Sequence, residues 1–265
     1  MPEGDTVFAA AARLRAGLAG RRIEYCQFRI PSLATVDLTG RTVSAVRSVG
    51  KHLLIDVEAS ATDVAVSIHS HLKMEGAWHV HRIGQRWRRP AFQARIVLRT
   101  NDYEAVGFEL GILELLADPD DALAYLGPDL LADNWEADGL AAEAVRRLSR
   151  EPDREIGVAL LDQRNLAGVG NVYRSEICFL RGVLPSRPVG DVDLGPMVDL
   201  SRRMLWANRL RTARTTTGNT APNAQLWVYG RRGRECRRCV KPVERSFLGS
   251  TGEDRVVYFC PRCQT

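Results

Sequence analysis

The residues with the clearest chemical capacity open the chain, as Met1-Pro2-Glu3. Removal of Met1 is routine ahead of a residue as small as Pro2. It would leave a secondary amine with a carboxylate one residue away. An α-amino group has a pKa near ~8, so a good fraction is unprotonated at neutral pH. Amine nucleophiles attack carbonyl-level carbons and form Schiff bases. A secondary amine has no second N–H to lose, so its product is a cationic iminium, an electron sink for eliminations on neighbouring carbons. Taken alone, Pro2-Glu3 reads as a stable N-terminus beside a surface charge, and the rest of the chain is what favours the catalytic reading.

The strongest spacing lies at the other end. Cys236-x2-Cys239 and Cys260-x2-Cys263 are separated by twenty residues. Two such turns supply four thiolates to a tetrahedral structural zinc, one per chain. Ser246–Leu248 and Arg255–Phe259 read as the strands of a hairpin across Gly249–Asp254, with Arg255 near its tip. A module of about 36 residues is too small to fold on its core alone, so the metal should supply most of its stability. Cys26 and Cys178 are left over and read as buried apolar residues.

Three further stretches carry chemical options. In Gly50-Lys51-His52, a lysine after glycine could approach a phosphate closely, or be an edge-strand lysine. In His71-Leu72-Lys73-Met74-Glu75-Gly76, Met74 is apolar at a loop tip. It either folds back on the core or is a wedge for a base stack. Leu161 to Glu176 reads as helix, glycine-bearing turn (Gly168, Gly170) and helix, with Asn171 at the second N-cap. Unpaired amides there would form a phosphate site, unless this is a plain helical hairpin.

Positioning these residues falls to recognisable elements. Residues 5–19 read as a helix with Val7, Ala10, Ala11, Leu14 and Leu18 on one face, capped by Asp5 or Thr6 and ended at Gly20. The period then becomes two. Arg21–Arg29, Arg41–Ser48, His52–Glu58, Asp63–Ile68, Gly76–His81, Ala91–Arg99 and Glu104–Leu110 read as strands of a sandwich-like domain. Helical segments follow at Asp120–Tyr125, Gly139–Leu148, Ile156–Asp162 and 191–210. Arg211–Ala224 reads as a flexible loop or linker. The fold class is α+β, with domains expected over 1–118, 119–222 and 223–265.

With 265 residues and 45% hydrophobic content, sizeable cores are available. No apolar run reaches the ~18 residues that cross a membrane. The start has neither the basic nor the apolar region of a signal peptide, so a cytoplasmic protein is expected, and six cysteines there are not a disulfide framework. Residues 230–265 hold nine Lys/Arg and four acids, which accounts for the whole net charge of +5. A neutral body with a basic tail suits a polyanion.

Pro2-Glu3-Gly4, Lys51, the glycine turn before Asn171 and a four-cysteine hairpin carrying Arg255, in that order, resemble the formamidopyrimidine-DNA glycosylase and endonuclease VIII family over the whole chain. The resemblance implies an N-terminal β-sandwich with flanking helices, a helix–two-turns–helix domain, a C-terminal zinc finger and damaged DNA, double- or single-stranded, as partner of a monomer. It implies a base-excision-repair glycosylase and AP lyase, working by β,δ-elimination. Pro2 would be the nucleophile at C1′, Glu3 the general acid/base and Lys51 a phosphate ligand that supports proton transfer. Asn171 and Arg255 would grip the phosphates flanking the extruded nucleotide, with Arg255 also counted in the catalytic set. Met74, beside Lys73, would fill the gap left by the flipped base. The rival is a non-catalytic DNA-binding protein of the same fold.

The chain departs from the family at Asp5-Thr6, where Pro-Glu is common, and at Lys73-Met74-Glu75. Its features favour an oxidised pyrimidine over an oxidised purine such as 8-oxoguanine. Pro2-Glu3-Gly4 resembles the endonuclease VIII branch. Asn101-Asp102 and Tyr103-Glu104-Ala105-Val106-Gly107 lack the arginine and phenylalanine that the purine branch carries before its glycine. Arg211–Ala224, leading to Gln225–Gly230, is shorter than the purine branch's capping loop.

Overall fold

The structure is a computed structural model that describes residues 2–249 and 254–265. The chain divides into two compact units. One holds residue 2 and residues 6–125, the other residues 3–5 and 126–265.

The first unit is built on two four-stranded antiparallel sheets and a helix. Helix α1 (Gly4–Leu18) leads in. Strands β1 (Tyr25–Phe28), β2 (Val43–Val49), β3 (His52–Val57), β4 (Val66–His71), β5 (Ala77–Arg82), β6 (Ala94–Arg99), β7 (Tyr103–Phe108) and β8 (Ile112–Leu116) follow. The sheet orders are β1-β6-β7-β5 and β2-β3-β4-β8. Val7, Leu14 and Leu18 of α1 join Leu53, Ile55 and Ile68 of one sheet and Ile96, Leu98 and Trp78 of the other in a single buried core. Alternate residues of β3 and β6 face this core, and Ala94 and Val97 of β6 join Val106 and Phe108 of β7 in a second buried cluster. Strand β8 was not expected from sequence, because Ile-Leu-Glu-Leu-Leu shows no alternation. A short helix, α2 (Pro119–Ala122), closes the unit, capped by the Asp118 carboxylate accepting from the amides of Asp120 and Asp121.

The second unit carries α3 (Leu140–Leu148), α4 (Ile156–Ala159), α5 (Asn171–Arg181) and α6 (Leu194–Asn208), then the hairpin strands β9 (Glu244–Leu248) and β10 (Arg255–Phe259). Helix α5 is its axle. It is buried from Asn171 to Phe179 and packs on α6 and β10. The hairpin tip expected at Gly249–Asp254 lies largely outside the described residues. Arg211–Ala224, expected to be flexible, is pinned. Asn208 Nδ2 donates to Thr215 O at 2.9 Å and Thr217 Oγ1 to Ala224 O at 2.7 Å. No described helix is long and apolar enough to cross a membrane.

Candidate active site

Glu3, the acid expected to act beside Pro2, belongs to the second unit and is 0% exposed. Its Oε2 accepts from the amides of Gly170 (2.8 Å) and Tyr173 (3.3 Å), and its Oε1 from the amide of Val172 (2.8 Å). The carboxylate therefore caps α5 from far away in sequence, at the positive end of that helix. Gly170 makes the approach feasible, since a Cβ there would stand 2.5 Å from the Glu3 carboxyl carbon. Two expectations change. Asn171 is the first helical residue rather than the N-cap, which is Gly170. The amides read as a phosphate site are occupied by Glu3.

Asp5 is likewise not a helix cap. It lies inside the first turn of α1. Its carboxylate accepts from Arg214 at 2.7 and 2.5 Å and from the Tyr173 hydroxyl at 2.9 Å. Arg214 also stands 3.7 Å from Glu3 Oε1. Its bonds to Asp5 and the charge of Glu3 outweigh burial and raise its pKa. Sequence reading missed Arg214, which sits in a Thr/Arg-rich stretch with no spacing signal.

Asn171 is 5% exposed. Its Oδ1 accepts from Arg174 Nη2 at 2.9 Å. A guanidinium only donates, so this fixes the amide's orientation and leaves Nδ2 as the group to offer a ligand. The same Arg174 Nη2 donates to the carbonyls of Arg255 (3.1 Å) and Val256 (2.8 Å). Arg174 therefore ties Asn171 to the start of β10, from which the exposed Arg255 projects. Burial lowers its pKa to about 10. Glu176, one turn on, accepts from the amides of Trp227, Val228 and Tyr229 at 2.8, 2.8 and 2.9 Å. It secures the segment entering the cysteine module. Neither Arg174 nor Glu176 gives a sequence signal beyond its place on a helix.

The sulfurs of Cys236, Cys239, Cys260 and Cys263 lie within 4.8 Å of one another. Four sulfurs so close suit one tetrahedral metal ion. Cys236 Sγ accepts from the Arg238 amide at 3.4 Å. Cys26 and Cys178 stand apart from this cluster. Burial pushes their pKa values up to about 11 and about 12.

In the first unit, Gly50-Lys51 is the two-residue turn between β2 and β3. Lys51 is half-buried, as is Pro2. Beside Lys51 runs a chain of bonds not foreseen from sequence. Tyr125 Oη lies 3.2 Å from His52 Nε2, His52 Nδ1 lies 2.8 Å from His69 Nε2, and His69 Nδ1 lies 2.8 Å from Glu114 Oε1. Burial first, then neighbouring histidines and Lys73 and Lys51, lowers His52 to about 3. Burial with Lys73 and Lys51 lowers His71 to about 4. Met74 is 60% exposed, so it does not fold back on the core. Lys73 has a left-handed backbone (φ 52°) and its amide donates to His71 Nδ1 at 3.0 Å.

The model of the formamidopyrimidine-DNA glycosylase N-terminal domain matches residues 1–109, and that of the same enzyme's H2TH domain residues 126–209. A Mycolicibacterium smegmatis protein named DNA-(apurinic or apyrimidinic site) lyase Nei2 is 52% identical over 268 residues, covering 100% of this chain and 99% of its own. The chain belongs to the formamidopyrimidine-DNA glycosylase and endonuclease VIII family. A Mycobacterium tuberculosis member of the family, named endonuclease 8 2, is 48% identical over 271 residues, with all of both chains covered. The crystal structure of Lactococcus lactis Fpg in complex with DNA containing N7-benzyl-Fapy-dG shares the fold, at a TM-score of 0.78, 22% identity and full coverage of both chains.

Tyr103–Gly107, which lacks the arginine and phenylalanine of the purine branch, is part of strand β7. The loop joining β7 to β8 is Glu109-Leu110-Gly111. It too lacks arginine and phenylalanine, and Phe108 beside it is 0% exposed.

Proposed function

We propose that this chain is a bifunctional DNA glycosylase and AP lyase of base excision repair, acting on damaged double-stranded DNA as a monomer in the cytoplasm. The observation that carries the proposal is the Glu3 carboxylate, immobilised by three helix amides immediately after Pro2. A capping carboxylate oxygen with one amide partner, such as Oε1, keeps a lone pair for proton exchange.

With Met1 removed, the Pro2 nitrogen attacks C1′ of the damaged nucleotide as the base leaves. Glu3 assists sugar-ring opening and moves protons. The iminium formed at Pro2 acidifies C2′, so the 3′ phosphate leaves by β-elimination and the 5′ phosphate by a second, δ-elimination. Lys51 binds a phosphate beside the lesion and supports proton transfer. Asn171 Nδ2 and the Arg255 guanidinium hold the flanking phosphates, and Lys73 and Met74 contact DNA, Met74 as the wedge. The four cysteines hold one structural Zn2+, which fixes the hairpin that presents Arg255. Domains run over 1–118, 119–222 and 223–265.

Oxidised pyrimidines are the preferred substrates. The short Arg211–Ala224 segment leaves little backbone to close over a large flipped purine, and Tyr103–Gly107 lacks the arginine and phenylalanine of the purine branch. Selectivity then rests on how readily a non-planar, poorly stacked base leaves the helix. The test is borohydride trapping on dihydrouracil and 8-oxoguanine duplexes, with peptide mapping of the adduct. The expected adduct is at Pro2 and forms faster with dihydrouracil. An adduct on a lysine, with Pro2 untouched, overturns the mechanism, and faster 8-oxoguanine removal reverses the substrate order.

A further inference from the structure

We infer that Phe92 is a stacking platform for a nucleobase, namely the base left opposite the lesion. The inference rests on the proposed DNA reading of the Met74 loop and adds a residue to that surface.

Phe92 is 77% exposed. It sits in the middle of a 3-10 turn, Ala91–Gln93, that follows Pro90. One exposed ring is by itself ordinary surface, and what points to a ligand is its fixed mount and its place beside Met74. The mount is rigid at both sides. Arg29 Nη1 donates to Ala91 O at 3.2 Å, and Arg95 Nη1 to Phe92 O at 3.0 Å.

Its surroundings link it to the wedge loop. Arg89 Nη1 donates to Glu75 O at 2.9 Å, one residue after Met74, and pairs with Glu109 at 3.6 Å. The Glu109 amide donates to Gln93 O at 2.9 Å, one residue after Phe92. Lys73 lies against Gly111, where a Cβ would stand 2.1 Å from Lys73 Cγ. The loops bearing Met74 and Phe92 and the β7–β8 loop are thus fastened into one surface. On it, Met74 and Phe92 are the exposed large apolar side chains.

Aromatic rings interleaved with arginines are the usual means of holding an unstacked base, since every base has a π face and guanidiniums match the phosphates. Arg29, Arg88, Arg89 and Arg95 surround this ring in sequence or through the bonds above. The β7–β8 loop supplies no aromatic residue for the strand opposite the lesion. Phe92, from the turn before β6, takes that place. Once Met74 enters the stack, the unpaired base loses a neighbour, and the Phe92 ring provides a replacement.

The experiment compares wild type, Phe92→Ala and Phe92→Trp on DNA containing a tetrahydrofuran abasic analogue. Affinity is measured on duplex and on single-stranded DNA, with 2-aminopurine opposite the analogue reporting stacking. Phe92→Ala is expected to weaken duplex binding about tenfold, the range of one base–aromatic contact. It should leave single-strand binding and melting temperature unchanged and alter the 2-aminopurine signal, while Phe92→Trp restores wild-type behaviour. Unchanged duplex affinity and signal in Phe92→Ala overturns the inference, as does equal weakening on duplex and single strand. Failure of the wild-type protein to bind either DNA instead overturns the proposed function.

Discussion

Glu3 and Met74 stand at opposite ends of a scale of constraint. Glu3 has no exposed surface and three main-chain partners, whereas Met74 is 60% exposed. The same contrast holds for their neighbours. Around Glu3, the side chains of Asp5, Asn171, Arg174 and Glu176 all carry assigned bonds within the second unit. Around Met74, the loop is anchored through Leu72, Arg89 and His71, and the Met74 side chain itself is left open. The proposed chemical group is part of the fold. The proposed reading surface is mounted on the fold by its arginines, and its two apolar tips, Met74 and Phe92, stay exposed. Changes at Glu3 should therefore damage stability and chemistry together, and changes at the loop tips should damage binding alone.

The sharpest way to break that contrast is Glu3→Gln. An amide offers an N–H to helix amides that can only donate. We expect a loss of base excision on the order of 10²–10⁴-fold, the range for a general acid/base, with strand cleavage at a preformed abasic site less affected. Melting should also fall, by about 2–4 kcal/mol of stability for uncompensated buried donors and a lost charged hydrogen bond. Unaltered melting in calorimetry would separate the acid from the fold.

A smaller effect is expected from metal loss. Metal analysis should return about one zinc per chain. Cys239→Ser or a strong chelator should unfold the hairpin, since small modules of this kind depend on their metal. The sandwich should survive, which far-UV circular dichroism and limited proteolysis would check. DNA affinity should fall with reduced dependence on salt, the slope of log affinity against log salt dropping by about one for the lost Arg255 contact. Full DNA affinity in metal-free protein would show that the hairpin is not part of the grip.

The smallest effect concerns pH. His52 and His71 are depressed to about 3 and about 4 in the fold. Unfolded histidine titrates near ~6.5. The unfolded chain therefore takes up protons first as pH falls. The stability from keeping these rings neutral is whole above pH ~6.5 and is lost on acidification towards the folded values. His52→Gln should flatten the decline of melting temperature between pH 6.5 and 4. An unchanged profile would place the acid sensitivity elsewhere.

The sequence disclosed those parts whose information is local. Four cysteines in two turns, a proline before a glutamate, and a glycine turn before Asn171 are each readable within a few residues. Strand alternation located β1 to β7, with ends off by up to four residues. What stayed hidden is pairing at a distance. Glu3 meets Gly170 at a separation of 167 residues and Asp5 meets Arg214 at 209. Arg174 looks like a helix surface residue until the hairpin carbonyls close on it, and Glu176 likewise until the amides of 227–229 arrive. The His52–His69–Glu114 chain crosses three strands, and no periodicity marks such a chain. Asp5, noted as a departure from the family, finds its partners in Tyr173 and Arg214, both far along the chain.

The bond between Glu3 and α5 also bears on how the protein comes into being. Closing a loop of more than 160 residues is entropically costly and slow, so such contacts tend to form late. Until Glu3 arrives, the first amides of α5 have only water to accept their hydrogens. Glu3 follows Pro2 in the chain at every stage, but before that closure its carboxylate is free to turn in water. Folding removes that freedom and completes the start of α5 in one event. The orientation of the acid beside Pro2 is thus a product of the finished second unit and not of the local sequence.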